Sequence, residues 1–473
     1  MIGRKLEQEQ LLNAYNNEES NFVAVYGRRR VGKTYLIRQT FKDRFTFCHT
    51  GNFNSPKEEQ IELFCNSLEN QGYKDIKERP TNWIGAFFLL EKFIISLPKE
   101  GKKIIFLDEL SCMDTPNSRF VPSLEHFWNG FASARDDILL IVCASSTSWI
   151  INNIIHNRGG LHNRLNANIY LNQFTLKECR EYIDSRNIVM NNHQLLECYM
   201  IMGGVPFYWS LLNKGFSVNQ NIDKIFFGET SLLKDEFSYL YKSIFDSPDQ
   251  YISVIKAFNT KKVGLTRDEI IKLSGLPNNG HTSEILTNLD YCGFIRCYNM
   301  FGHSKRNCLY QLIDNFTLFY FNFLENKPND KHFWQNSIGS AKVTSWKGLA
   351  FERVCLQHID QIKDKLGISA VLTNVCSWYC KKDAEKGLKG CQIDLLIVRA
   401  DQVINLCEMK YSVSDFTITK SVDENIRNKV NDLKTATKTK YAIHKTIITT
   451  YGLEKSMYSD EIQSVVTAED LMI

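Results

Sequence analysis

The sequence predicts an α/β protein that opens on a parallel sheet and ends in a second, separate α/β domain. Three observations carry that prediction. Over the first 180 residues, short apolar runs of strand length alternate with helical stretches. The pattern then turns helical and closes on a helix, a turn, a helix and two β-rich runs. Beyond a polar break at Lys327-Pro328-Asn329-Asp330-Lys331, strands return. The length of 473 residues agrees, since roughly 150 residues per domain gives about three domains. With 43% hydrophobic and 23% charged residues and only 9 Pro, a disordered or collagenous chain is excluded.

No apolar run approaches the roughly 18 residues of a membrane span, and the charged start Met1-Ile2-Gly3-Arg4-Lys5 has no signal-peptide core. The 14 Cys include no C-x-x-C pair. Cys376, Cys380 and Cys391 come closest to a metal cluster, and we read them as buried free thiols. A cytoplasmic protein is expected.

In chain order, residues 22–26 form a β-rich run stopping at Gly27. Ser55-Pro56-Lys57-Glu58 predicts a helix start with Ser55 as cap and Pro56 in the first turn. Residues 103–107 and 138–143 are continuous apolar runs, as buried parallel strands should be. Thr266-Arg267-Asp268-Glu269 is a capping box opening a short helix that ends at Gly275. A second helix over 283–289 and β-like runs at 294–300 and 308–313 complete the layout of a winged helix. The last domain reads as a helix over 346–359, strands at 371–379, 393–398 and 403–409, a helix, and a strand at 445–450.

Gly27-Arg28-Arg29-Arg30-Val31-Gly32-Lys33-Thr34 is a complete G-x-x-x-x-G-K-[ST] between a strand and a helix. Its glycines let backbone N–H groups approach phosphates, and the helix N-terminus adds partial positive charge. Lys33 is expected to reach the β/γ-phosphates of ATP, and Thr34 to ligate Mg2+. The run Ile104-Ile105-Phe106-Leu107 delivers Asp108 and Glu109 at a strand's C-terminal end, where open α/β sheets bind ligands. Asp108 is expected to hold Mg2+, and Glu109 to orient and activate the attacking water.

With these motifs the chain resembles the AAA-like (archaeal-type) P-loop ATPase family, which often continues into a winged helix and a nuclease-like domain. The resemblance extends to Gly3-Arg4 with Glu7, which implies an adenine-proximal segment. It extends also to Ala144-Ser145-Ser146, which implies that Ser145 is a sensor of nucleotide, and to the lid motif Gly203-Gly204-Val205-Pro206. Arg164 lies where the family places an Arg that senses the γ-phosphate, within one molecule or across a homo-oligomer. The implied domains are a P-loop ATPase core at 1–180, a helical lid at 181–248, a winged helix at 249–326 and a restriction-endonuclease-like domain at 327–473.

In that last domain Asp394, Glu408 and Lys410 follow the pattern D-x13-E-x-K. Glu408 and Lys410 share a strand face, while Cys407 and Met409 point the other way. An acid inside an apolar strand is costly to bury without a cation. Mg2+ or Mn2+ between Asp394 and Glu408 would meet that cost, with Lys410 positioning water. Glu352, on the preceding helix, is placed to join them. The set resembles the PD-(D/E)-x-K nuclease superfamily, with Ile393 where the name-giving Pro would stand.

Residues 420–445 carry seven Lys or Arg against Asp423, Glu424 and Asp432, and the wing adds Arg296, His303, Lys305 and Arg306. Both stretches suit a nucleic-acid backbone, DNA above all. The function expected is an ATPase coupled to a DNA-binding, nuclease-like domain. The alternatives are a signalling ATPase whose nuclease-like domain does not cleave, and a winged-helix transcription regulator.

Overall fold

The computed structural model describes residues 1–157, 159–233, 235–245, 247–260, 264–302, 308–326 and 329–473. His303, Lys305 and Arg306 of the expected wing, and Lys327 and Pro328 of the expected boundary, lie outside the described residues. The chain divides into two compact units, residues 1–173 with 242–246, and residues 174–241 with 247–473.

In the first unit the apolar runs become β1 (Asn21–Tyr26), β2 (Phe45–Thr50), β3 (Lys103–Asp108), β4 (Ile138–Ala144) and β5 (Ala167–Tyr170). They form one sheet in the order β2-β3-β4-β1-β5, with every neighbouring pair parallel. Every residue of β3 and β4 is buried, as strands covered on both faces must be. One core layer joins Val23, Val25, Ile104, Phe106, Leu139 and Ile141 to the helices Lys5–Asn16 and Lys33–Phe41 through Leu11, Leu36 and Ile37. On further helices Trp83, Phe87, Phe120 and Phe127 form a linked aromatic group. Register pairs Tyr26 with Ala144 and Leu107 with Val142, so the loops leaving β1, β3 and β4 emerge side by side.

Ser55 is not the helix cap that the sequence predicts. The helix runs Lys57–Asn70, and Pro56 precedes it in extended conformation. Ser55 Oγ instead accepts from Asn52 Nδ2 at 2.7 Å, which closes the turn after β2.

In the second unit Thr266 makes its capping box and Gly275 ends the helix Arg267–Ser274 at φ 73°. The helix Gly280–Tyr291 follows, then the antiparallel pair β6 (Ile295–Tyr298) and β7 (Leu309–Leu312). A second sheet comprises β8 (Thr373–Cys380), β9 (Cys391–Arg399), β10 (Val403–Lys410), β11 (Ala442–Thr449) and β12 (Ser464–Thr467). Its order is β12-β11-β10-β9-β8, antiparallel from β8 to β10 and parallel from β10 to β12. The parallel step from β10 to β11 requires a crossover, and the helix Lys420–Thr437 supplies it.

Four contacts tie distant parts of this unit together. Leu176 N–H donates to His358 Nε2 at 3.0 Å. Glu197 accepts from Tyr411 Oη at 2.9 Å and pairs with Lys347. Past β6, Phe301 N–H donates to Ser377 O at 2.9 Å, so the hairpin's outgoing end lies along β8. Among the described residues, no helix is long and apolar enough to cross a membrane.

Candidate nucleotide site and acidic centre

Gly27 leaves β1 at φ 142°, and a Cβ there would lie 2.4 Å from Leu171 O. Only glycine fits that backbone and that approach. Arg30 (φ 70°) and Gly32 (φ 93°) then turn the chain through the left-handed region, so the loop wraps tightly before the helix Lys33–Phe41 begins. Val31 is buried in the core layer and anchors the loop, Arg28 is buried and Arg29 is half-buried. Lys33 Nζ donates to Gly27 O at 2.7 Å and Arg28 O at 3.0 Å, which folds the ammonium back over the loop.

The β3 end supplies the complementary groups. Thr34 Oγ1 donates to Asp108 Oδ2 at 2.8 Å, and Glu109 N–H donates to Asp108 Oδ1 at 3.0 Å. Burial pushes the Asp108 carboxyl up; the Thr34 hydrogen bond opposes this and the Glu109 charge adds to it. Glu109 sits at φ 51°, a left-handed conformation that costs a non-glycine residue about 1–3 kcal/mol and that clusters at functional sites. Its carboxylate accepts from Ser145 N–H at 2.9 Å and from Ser145 Oγ. Thr34 on the helix after β1, Asp108 and Glu109 at the end of β3 and Ser145 after β4 thus meet at the C-terminal end of the three central strands.

In the second unit Glu352 lies on the helix Ala341–Gln357, Asp394 on β9, and Glu408 with Lys410 on β10. Lys410 Nζ lies 2.8 Å from Glu408 Oε1, and Lys429 Nζ lies 2.7 Å from Glu408 Oε2. Burial alone would raise the Glu408 carboxyl, but the two ammonium groups outweigh it and hold it below the ordinary value. The counter-charge that the sequence assigns to a metal ion is therefore supplied on Glu408 by lysines. Glu352 is different. Burial, then the Asp394 charge, pushes its carboxyl up to about 7. Glu352, Asp394 and Glu408 are not among the groups of described residues whose three ligand atoms lie within 4.8 Å of one another.

The description "ATPase domain predominantly from Archaea" matches residues 1–212. Residues 1–212 thus carry an archaeal-type ATPase domain. An uncharacterised protein of Methanocaldococcus jannaschii is 21% identical over 386 residues, covering 79% of this chain and 81% of that one. An uncharacterised ATP-binding protein of the same organism is 42% identical over 43 residues, 9% of this chain and 73% of that one. Among solved structures, a Walker-type ATPase of Pyrococcus abyssi is 14% identical with a TM-score of 0.49, covering 67% of this chain and 95% of that one.

Within the ATPase domain, Arg4 is buried and its Nη2 donates to Asn172 O at 2.7 Å and Val31 O at 3.3 Å, which ties the chain's start to the phosphate loop. Arg164 is exposed, in the turn before β5. Sequence reasoning misses Gln60, which is fully buried. Its amide donates to Cys112 O at 2.9 Å and accepts from Asn52 N–H at 3.0 Å, bracing the turn after β2 against the short helix that follows Glu109. A Gln in a helical pattern carries no signal of that role.

In the second unit, Gly203 O accepts from Trp209 Nε1 at 2.7 Å and Gly204 O from Phe174 N–H at 2.7 Å, so the lid motif is a packed turn. Arg296 is held inside the hairpin, with Nε donating to Gln311 at 2.9 Å and its guanidinium 4.4 Å over the Tyr298 ring. Of the seven cations in residues 420–445, Arg427 and Lys445 pair with Glu461 and Lys429 with Glu408. Lys434, Lys438 and Lys440 remain exposed.

Proposed function

We propose that this chain is a Mg2+-dependent ATPase whose nucleotide state controls a DNA-handling unit built of a helical lid, a winged helix and a nuclease-like domain, with the boundaries 1–180, 181–248, 249–326 and 327–473. One observation carries the ATPase chemistry: Thr34, Asp108, Glu109 and Ser145 are linked in one chain of hydrogen bonds beside the phosphate loop. ATP fits there because the Gly27 and Gly32 positions keep the loop free of side chains where phosphates would lie.

Thr34 and Asp108 would hold Mg2+, which when bound neutralises phosphate charge. Lys33 would exchange its two carbonyl partners for β/γ-phosphate oxygens. Glu109 would orient the attacking water and accept its proton, with Ser145 fixing the carboxylate. Arg164, exposed, would sense the γ-phosphate in the same molecule or in a homo-oligomer.

In the acidic centre, Glu352, Asp394 and Glu408 would hold Mg2+ or Mn2+ and Lys410 would place the water that attacks a phosphodiester. The exposed Lys434, Lys438 and Lys440 give a substrate backbone its contacts. A second reading, a signalling ATPase with a non-cleaving centre, is favoured by the occupation of both Glu408 oxygens by ammonium groups. Purified protein on single-stranded, duplex and branched DNA, with Mg2+ or Mn2+ and with or without ATP, separates the two. Metal-dependent cleavage that responds to ATP supports the nuclease; binding without cleavage in every condition supports the signalling ATPase.

A further inference from the structure

The antiparallel register of β8 and β9 sets Cys380 directly opposite Cys391. From the crossover helix, Asp432 reaches the same point and is only 2% exposed. One ligand atom from each of the three residues lies within 4.8 Å of the other two. Asp432 is oriented before any ion arrives: Oδ1 accepts from Lys389 N–H at 3.1 Å, and Oδ2 from Gly390 N–H at 3.0 Å and from Cys380 Sγ at 3.6 Å.

We propose that Cys380, Cys391 and Asp432 form a zinc site that staples the helix Lys420–Thr437 to the β8–β9 hairpin. With Zn–S near 2.3 Å and Zn–O near 2.0 Å, ligands around one tetrahedral ion stand roughly 3.5–3.8 Å apart. Closing from 4.8 Å needs about 1 Å of movement, within reach of Cys rotamer adjustment. Two thiolates select a borderline-soft ion such as Zn2+ over Mg2+, and backbone N–H groups on the carboxylate are the outer-shell support such sites use. Both thiols are half-buried, so water can complete the tetrahedron. Binding forms two Zn–S bonds and one Zn–O bond and releases the two thiol protons to solvent, with no change of oxidation state. Lys429 lies one turn before Asp432 on the same helix and pairs with Glu408, so the staple also fixes a cation of the acidic centre. The assignment is independent of the ATPase and nuclease readings.

The full chain, reduced and stripped with chelator, is titrated with Co2+ while the thiolate-to-cobalt charge-transfer absorbance is followed, and Zn2+ is then added. One equivalent should bind with that band and be displaced by Zn2+. Cys380→Ser and Cys391→Ser should each weaken binding at least about tenfold, the scale of even an outer-shell loss. Asp432→Asn should weaken it too, and Asp394→Ala, in the separate acidic centre, should leave it unchanged. Absence of the band in the reduced parent chain, or an unaltered band in both Cys variants, overturns the site. So does a Cys380–Cys391 disulfide in the metal-free chain together with no Zn2+ uptake after reduction.

Discussion

Replacing Glu109 with Gln changes one atom and leaves the shape of the side chain intact. In the parent the carboxylate accepts from Ser145 N–H at 2.9 Å and from Ser145 Oγ. Gln Oε1 keeps the first bond, and Ser145 Oγ can turn to accept from the new amide. The cost is a change from charge-assisted to neutral hydrogen bonds, about 1 kcal/mol in all. For a unit of this size that lowers Tm by roughly 2–4 °C. Nucleotide binding, which rests on the phosphate loop, should stay within about twofold. Hydrolysis should not, because an amide cannot take a proton from water: a general base contributes about 10²–10⁴-fold, or roughly 3–5 kcal/mol of barrier. Single-turnover phosphate release at saturating ATP measures the rate, and a fluorescent ATP analogue the affinity. Hydrolysis by Glu109→Gln equal to that of the parent would refute the assignment of Glu109 as the base.

Three other outcomes follow from the same geometry. Gly27→Ala places a Cβ 2.4 Å from Leu171 O on a φ 142° backbone; it should destabilise the ATPase domain by about 3 kcal/mol or more, seen in thermal melts, and weaken ATP binding with it. Arg164→Ala should lower hydrolysis at saturating ATP with affinity nearly intact, and mixing it with Glu109→Gln protein should restore activity if Arg164 acts across a homo-oligomer; hydrolysis strictly proportional to protein concentration, with no rescue on mixing, argues against that. His358 is held neutral by burial, which lowers it to about 4, with Nε2 accepting from Leu176 N–H and Nδ1–H donating to Val354 O. A depressed folded pKa leaves stability whole above about 6.5 and removes it as pH falls toward 4, up to about 3 kcal/mol. Urea midpoints of the second unit should therefore drop more between pH 7 and 4.5 in the parent than in His358→Gln.

Local signals made much of this legible in the sequence. The phosphate loop occupies eight consecutive residues, and continuous apolar runs sufficed to place β3 and β4 because both of their faces are covered. The capping box at Thr266 and the stop at Gly275 are likewise settled within one turn of helix. Ser55 was misread because a Pro-containing entry to a helix can be shifted by one residue without changing composition. Lys429 and Asp432 belong to the stretch whose cations the sequence assigns to a nucleic-acid backbone. They turn inward because the crossover between parallel strands packs one face of that helix on the sheet, and no local pattern names the residues it will meet there. The same holds for Asp432 beside Cys380 and Cys391: two ligands are neighbours only through strand register, and the third comes from about 40 residues further along the chain.

The central proposal, two separate sites of which the second would hold a divalent ion on Asp394, is tested most directly by calorimetric titration of Mn2+ into the full chain and into Asp394→Ala, with ATP hydrolysis recorded on the same preparations. The full chain is needed because residues 327–473 belong to one compact unit with 174–241 and 247–326. The account predicts that the parent shows an Mn2+ site absent from Asp394→Ala, while the two hydrolyse ATP at the same rate. Identical Mn2+ binding by the two proteins would contradict it and leave the signalling ATPase in its place.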